Sequence, residues 1–238
     1  MSRWLFTLWR GAAFARNPRL HVKYVRRMGR LPDVALPRSF PDRMLWRKQF
    51  DRNPLFVTFA DKLATKDWIA ERLPGLPIPR TLWRGADPAA IPPALLRPGV
   101  IVKANHGSNF NLPIRERVPP HDEVVALARR WLRRSWGRHR GEWHYAHVRR
   151  EVFVEEMVGG DGPLADIQIR AGAGRAALCS VTFDTKTPRQ TVRYMDTEGN
   201  ILTDSLHDVT AAPDVQVTDA AAFAEAVDLP LFEFGLIR

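Results

Sequence analysis

The sequence predicts an α+β fold, on three observations. Residues 61–73 carry Leu63, Trp68, Ile69 and Leu73 at helical spacing, and Pro74-Gly75 stops the run. After Pro119-Pro120 a second stripe follows at Val124, Leu127, Ala128 and Trp131, with arginines on the other side. Segments 166–170, 175–184 and 190–195 then alternate or run apolar, as antiparallel strands do. Strands in groups with helices interspersed belong to the α+β class.

Taken in order, residues 1–36 form a basic N-terminal segment. Its first part, MSRWLFTLWRGAAFAR, is apolar but broken by Arg3, Arg10 and Arg16. Without an uninterrupted apolar core it does not read as a signal peptide. The preferred reading is a first helix packed on its own domain; the alternative lays Trp4, Leu5, Phe6, Leu8 and Trp9 in a membrane interface. Residues 31–43 hold three prolines and form an extended connector. A helix follows at 43–50. The segment LPGLPIPRTLW gives a turn and a short strand, and 85–99 is proline-rich loop. Residues 100–103 and 110–114 pair as a hairpin around NHGSN. Residues 137–151 are polar and basic, and EVFVEEMVGG is a strand ending at two glycines. AGAG at 171–174 turns between strands, 219–227 is a short helix, and LFEFGLIR is the last strand.

Cys179 is the single cysteine of the 238 residues, so no disulfide forms within the chain, which fits a reducing compartment. Its thiol reads as buried and inert. The net charge of +10 is divided unevenly: residues 1–150 carry 30 Lys and Arg against 11 Asp and Glu, and residues 151–238 carry 6 against 15. A basic region of that size favours anionic partners. Neither zinc-type Cys/His spacing nor an aromatic RNP-like strand is present, so no nucleic acid is expected. His139, His144 and His147 with Glu142 fit no familiar metal-ligand spacing, and Trp131 and Trp136 read as core.

The chemistry concentrates in VIVKANHGSN (100–109). Glycine admits close backbone approach, and successive N–H groups in a tight turn bind anions. Lys103 adds a point charge, and Ser108 and Asn109 add donors. The Walker A spacing is absent. ADKLATKDWIAERLPGLPIP sets Lys62 at a helix start and Lys66 one turn later. FVEEMVGG sets Glu155 and Glu156 at a strand end.

This ordered set resembles the ATP-grasp superfamily, and more closely its TupA-like family of teichuronopeptide and surface-polysaccharide biosynthesis. The carrying residues are 37–69, VIVKANHGSN, EWHYAHVRREVFVEEMV (142–158) and the Asp166 region. The resemblance implies one ATP-grasp domain over 37–238, changing subdomain near 150. Two α+β subdomains would grip nucleotide between them, the C-terminal one incomplete. It implies that Lys103 holds the α/β-phosphates of ATP and Lys62 is a second phosphate-side cation. His106, Gly107, Ser108 and Asn109 form the lid over the phosphates, Glu155, Glu156, Met157 and Val158 the adenine hinge, and Asp166 a further nucleotide contact. Where the family has D-Y-K, this chain has Asp166-Ile167-Gln168. Arg238 would open an R-x-D-x-Y strand and is the candidate catalytic residue. Ligands for Mg²⁺ would lie beyond it, so the chain is expected to be a truncated form.

The implied activity is carboxylate–amine ligation through an acyl phosphate, in the cytoplasm or at the inner face of the membrane. The implied partners are ATP, an anionic polysaccharide or amino-acid substrate, and a peripheral membrane contact. Two other readings remain: a glycosyltransferase of the same biosynthesis, or a non-catalytic basic module for anionic polymer or membrane.

Overall fold

The computed structural model describes residues 3–137, 140–158, 165–172, 175–184, 189–204 and 232–237. The chain divides into two units, Met1–Met157 and Val158–Arg238.

The first unit opens with two helices, α1 (Arg3–Arg16) and α2 (Pro18–Met28). Asn17 separates them, and Pro18 begins α2, where a missing N–H costs nothing. Gly29 ends α2 in the left-handed conformation, φ 66°, with its N–H on the Val25 carbonyl. The proline-rich connector leads to α3 (Phe40–Phe50), which starts three residues before the expected helix because Ser39 caps it. Ala13, Leu20, Tyr24, Val34 and Leu45 form a small core, so the basic N-terminal segment packs with α3.

Only part of α1 takes part in that packing. Ala13 is its one buried residue among those described, and Trp9 stacks on Phe50 with ring centroids 5.0 Å apart. Trp4, Leu5 and Leu8 are 79%, 52% and 67% exposed. The first helix thus packs on its own domain through a narrow side, Ala13 and Trp9, and leaves Trp4, Leu5 and Leu8 outside that contact.

A four-stranded antiparallel sheet forms the centre of this unit. Its strands are β1 (Thr81–Gly85), β2 (Val100–Ala104), β3 (Asn111–Ile114) and β4 (Val152–Glu156), in the order β1-β4-β2-β3. The predicted hairpin is β2-β3, in register from Val100↔Ile114 to Lys103↔Asn111. Strand alternation sends Val100, Val102, Ala104, Val152 and Val154 to one face. There they pack with Val124, Ala128 and Trp131 of α6 (His121–Arg133) as the main core. The other face belongs to α5 (Lys62–Arg72), which follows α4 (Leu55–Ala60) with only the cap residue Asp61 between them. Two 3-10 turns, Pro88–Ala90 and Pro93–Leu95, order the proline-rich loop.

The second unit is a five-stranded antiparallel sheet, ordered β8-β7-β6-β5-β9. Its strands are β5 (Asp166–Gly172), β6 (Arg175–Phe183), β7 (Thr191–Met195), β8 (Ile201–Asp204) and β9 (Phe232–Ile237). Ile167, Ile169, Cys179, Val181, Phe183 and Met195 share its buried face. Cys179 is buried as expected, which pushes its thiol pKa up and keeps it protonated. Sequence reading missed the short β8. The predicted helix at 219–227 and the tip of the AGAG turn lie outside the described residues.

One buried carboxylate ties α2, the connector and α3 together. Asp42 accepts from Tyr24 Oη at 2.6 Å, from Arg30 Nη2 at 2.9 Å, from Ser39 and from the Asp33 N–H at 3.1 Å. Burial alone would raise its pKa. The bonds from Arg30, Ser39 and Tyr24 outweigh burial and hold the carboxyl well below the ordinary carboxylate range. A depressed carboxylate stabilises the fold at neutral pH, and that contribution erodes as pH falls below the unfolded value of about 4. Asp42→Asn is expected to lower unfolding free energy by about 3 kcal/mol at neutral pH. In urea titrations the gap from wild type should narrow at pH 3; a gap that stays constant with pH would contradict the assignment.

Candidate functional site

Strand parity decides where Lys103 goes. Val100, Val102 and Ala104 turn to the main core, so Ile101 and Lys103 stand on the opposite face. In β4 the partners are Phe153, opposite Lys103, and Glu155, opposite Ile101. Lys103 and Glu155 are thus diagonal neighbours on one face, and the Lys103 ammonium pairs with Glu155 Oε1. The Glu155 side chain is only 3% exposed. A carboxylate so far from water needs cationic partners, and a second comes from α5: Lys66 pairs with Oε2. Lys66 also donates to the Pro79 carbonyl at 2.6 Å and to Thr81 Oγ1 at 3.2 Å, and its ammonium lies 5.7 Å from the Phe153 ring centre.

Lys62 lies one helical turn before Lys66, so both reach the same side of α5. Expected as a second phosphate-side cation, Lys62 instead fastens the loop. Its Nζ donates to the carbonyls of Ala104 and Asn105, each at 3.0 Å, and of Gly107 at 2.7 Å. An ammonium has three protons, and three acceptors use them. Burial, then the neighbouring charge of Lys103, push its pKa down to about 8.

The rest of the 105–109 loop falls into an anchored half and an outward half. Asn105 is buried: its Oδ1 accepts from the Leu63 N–H at 3.0 Å, and its Nδ2 donates to the Arg149 carbonyl at 3.1 Å. His106 is buried as well, with Nε2 3.1 Å from the carbonyls of both Trp131 and Arg134 at the end of α6. Carbonyls only accept, so Nε2 carries the proton. Burial pulls the His106 pKa down and keeps the ring neutral. Gly107 has φ +77°, and a Cβ there would sit 2.9 Å from the Phe110 ring and 3.2 Å from Trp136 Cβ. Only Ser108 and Asn109 face solvent, Asn109 in the left-handed region at φ 62°. Of the four residues expected to cover phosphates, His106 and Gly107 are therefore packed inward.

At the expected hinge, the Glu156 N–H donates to the Arg80 carbonyl at 3.0 Å and the Met157 N–H to the Gly99 carbonyl at 2.9 Å. Those two donors are committed within the unit. The Glu156 carboxylate pairs with Arg80 at 2.6 Å. Val158, which is exposed, and Asp166, the half-buried first residue of β5, belong to the second unit. Arg238 lies outside the described residues.

Lys66, Thr81 and Arg80 were not among the predicted site residues. The four-residue spacing of Lys62 and Lys66 was the available signal for Lys66. The contacts of Thr81 and Arg80 come from β1 lying beside β4, which no local pattern announces.

A metal finds no donor set here. Among the described residues no three His, Cys, Asp or Glu side chains converge, and the buried Glu155 carboxylate is held by lysines. These residues do not fit Mg²⁺. His144 and His147 instead pack on Trp143, with ring centroids 5.9 and 5.7 Å away, while His139 lies outside the described residues. Burial, then Lys48 and Arg47, push the His144 pKa down to about 4.

Two measurements check this arrangement. Glu155→Gln leaves two ammonium groups side by side without their anion and is expected to cost about 3 kcal/mol of stability in chemical denaturation. A lysine whose folded pKa lies below its unfolded value adds stability as pH rises from the folded to the unfolded midpoint. Lysine side-chain NMR should therefore find Lys62 titrating near pH 8. An ordinary lysine midpoint would contradict its burial.

No protein-family profile matches the chain, and no curated protein matches it. Among solved structures it is similar to three of the ATP-grasp ligase PsnB. The one complexed with minimal precursor has a TM-score of 0.41 and 14% identity, covering 83% of this chain and 55% of that one. The one with a phosphomimetic precursor variant, Mg and ADP has a TM-score of 0.37 and 15% identity, covering 78% and 47%. The one with precursor peptide PsnA2 and AMPPNP has a TM-score of 0.31 and 15% identity, covering 68% and 54%. The chain spans about half the length of these proteins, and likeness this distant transfers neither ligand nor reaction to it.

Proposed function

We propose that the chain is an ATP-grasp ligase-like protein that binds the phosphates of ATP at Lys103, beside the Ser108-Asn109 tip. The carrying observation is the charge at the sheet face. Lys66 and Lys103 share one buried carboxylate, Glu155, and Lys62 adds a third cation near Lys103, with Asp61 at the cap of α5. Positive charge in excess at a partly buried face favours an anion. Lys103 is the member of the set best placed to serve, because its side chain keeps 25% of its surface open. Lys62 supports the site indirectly, by holding the carbonyls of 104–107 so that the exposed tip stays in place.

In this reading the reaction joins a carboxylate to an amine, with an amino acid or an anionic surface polysaccharide as substrate. The protein works in the cytoplasm at the inner face of the membrane. The support is the ordered set of motifs in the sequence, together with the cationic face described above. Mg²⁺ would have to be held by groups other than Glu155. The exposed Ser108 and Asn109 are the donors available to a phosphate from the loop.

Titration calorimetry with ATP tests the reading. Wild type should bind, and Lys103→Ala should weaken binding by about tenfold to a hundredfold, the range of one charge-assisted contact. Equal affinity in the two proteins, or no ATP binding with or without Mg²⁺, would overturn it. Turnover of a nucleotide sugar without ATP would instead favour a glycosyltransferase.

A further inference from the structure

The first 28 residues hold a feature that nucleotide binding does not use. Along α1, Trp4, Leu5, Leu8, Ala12 and Ala15 recur at the spacing of one helical strip. The three large residues of that strip are exposed, at 79%, 52% and 67%. Trp9 stays attached to Phe50 on the inward side, so the strip is held outward by the packing of the helix. A ridge of Trp and Leu kept in water is unfavourable unless something covers it.

Charge identifies the cover. Residues 3–28 contain seven Lys or Arg and no Asp or Glu. Arg19, Lys23 and Arg26 follow at i, i+4 and i+7 along one side of α2, lining a shallow groove with Pro18 and Val22. Arg10 is drawn to Asp33 at 2.8 Å, outside the two helices. A second copy of this chain would fit badly, because a symmetric contact through α1 would set one cationic helix pair against another. An anionic lipid surface matches both the apolar strip and the charge.

Length decides how the helix lies. Fourteen residues make a rod of about 21 Å, short of the roughly 30 Å hydrocarbon core. Among the described residues no helix is long and apolar enough to cross a membrane. We infer that α1 is an in-plane anchor that sinks Trp4, Leu5 and Leu8 into the surface of an anionic phospholipid bilayer, with the cations of α2 adding attraction to the headgroups. The inference rests on the membrane placement in the proposed function and does not depend on nucleotide binding.

The test is cosedimentation of the full chain with vesicles of phosphatidylcholine, alone or mixed with phosphatidylglycerol. Binding to the mixed vesicles, weakened by salt, is expected. Trp4→Ala/Leu8→Ser should reduce partitioning at least about tenfold. Arg19→Glu/Lys23→Glu/Arg26→Glu should reduce it and remove the preference for phosphatidylglycerol. Trp4→Ala/Leu8→Ser should keep the wild-type melting temperature and the wild-type affinity for ATP, which separates the anchor from the nucleotide site. Equal partitioning of wild type and Trp4→Ala/Leu8→Ser would overturn the inference. So would absent vesicle binding, including the case where light scattering finds a dimer that this variant dissociates. Wild type that binds vesicles but not ATP would leave the anchor standing and overturn the ligase reading alone.

Discussion

Glu155 is a carboxylate in the central part of a sheet, almost wholly shielded from water, and it is held by two lysines from different elements. An ionised group in that position is tolerable only when cations and hydrogen bonds replace the water it has lost. Lys103 comes from the neighbouring strand and Lys66 from a helix, so satisfying Glu155 also docks α5 on the sheet. Once α5 is docked, Lys62 is carried to the 104–107 loop and binds three of its carbonyls. The Leu63 N–H reaches Asn105 in the same step. The position of the glycine loop therefore follows from a charge balance several residues away.

The two faces of this sheet divide the work. One is apolar and closes against α6, which gives the unit its main core. The other is lined by charge and covered by α5. His106 links the two sides, because its ring leaves the loop and bonds the last carbonyls of α6. The loop is consequently tied down at 105–107 and exposed only at Ser108 and Asn109. A ligand arriving here meets two backbone-flanked polar side chains and one partly exposed lysine. It must compete with Glu155 for that lysine, which makes charge density, rather than shape, the property the face is suited to select.

Away from this face, the N-terminal helices are organised by a different carboxylate. Asp42 gathers Tyr24, Arg30, Ser39 and the Asp33 backbone around itself. The same physics acts in both places: a buried acid recruits cations and donors from separate elements. The apolar strip of α1 lies outside the recruited set and stays exposed.

The sequence by itself determined the α+β class, the β2-β3 hairpin, both long helices of the first unit's later part and the strands of the second unit other than β8, because these rest on local periodicity and on Pro and Gly stops. It also picked out Lys62, Lys103 and Glu155 as residues of interest. Only the tertiary structure decided what each lysine does. Lys62 and Lys66 are both lysines on one side of a short helix, and nothing local distinguishes a cation that faces a carboxylate from one that faces carbonyls. That difference comes from β1, β2 and β4 being neighbours in space though distant in the chain, with β4 inserted between the other two. The outward strip of α1 was likewise beyond local pattern. Tryptophan and leucine at helical spacing describe a face, but which face is buried depends on what packs against it.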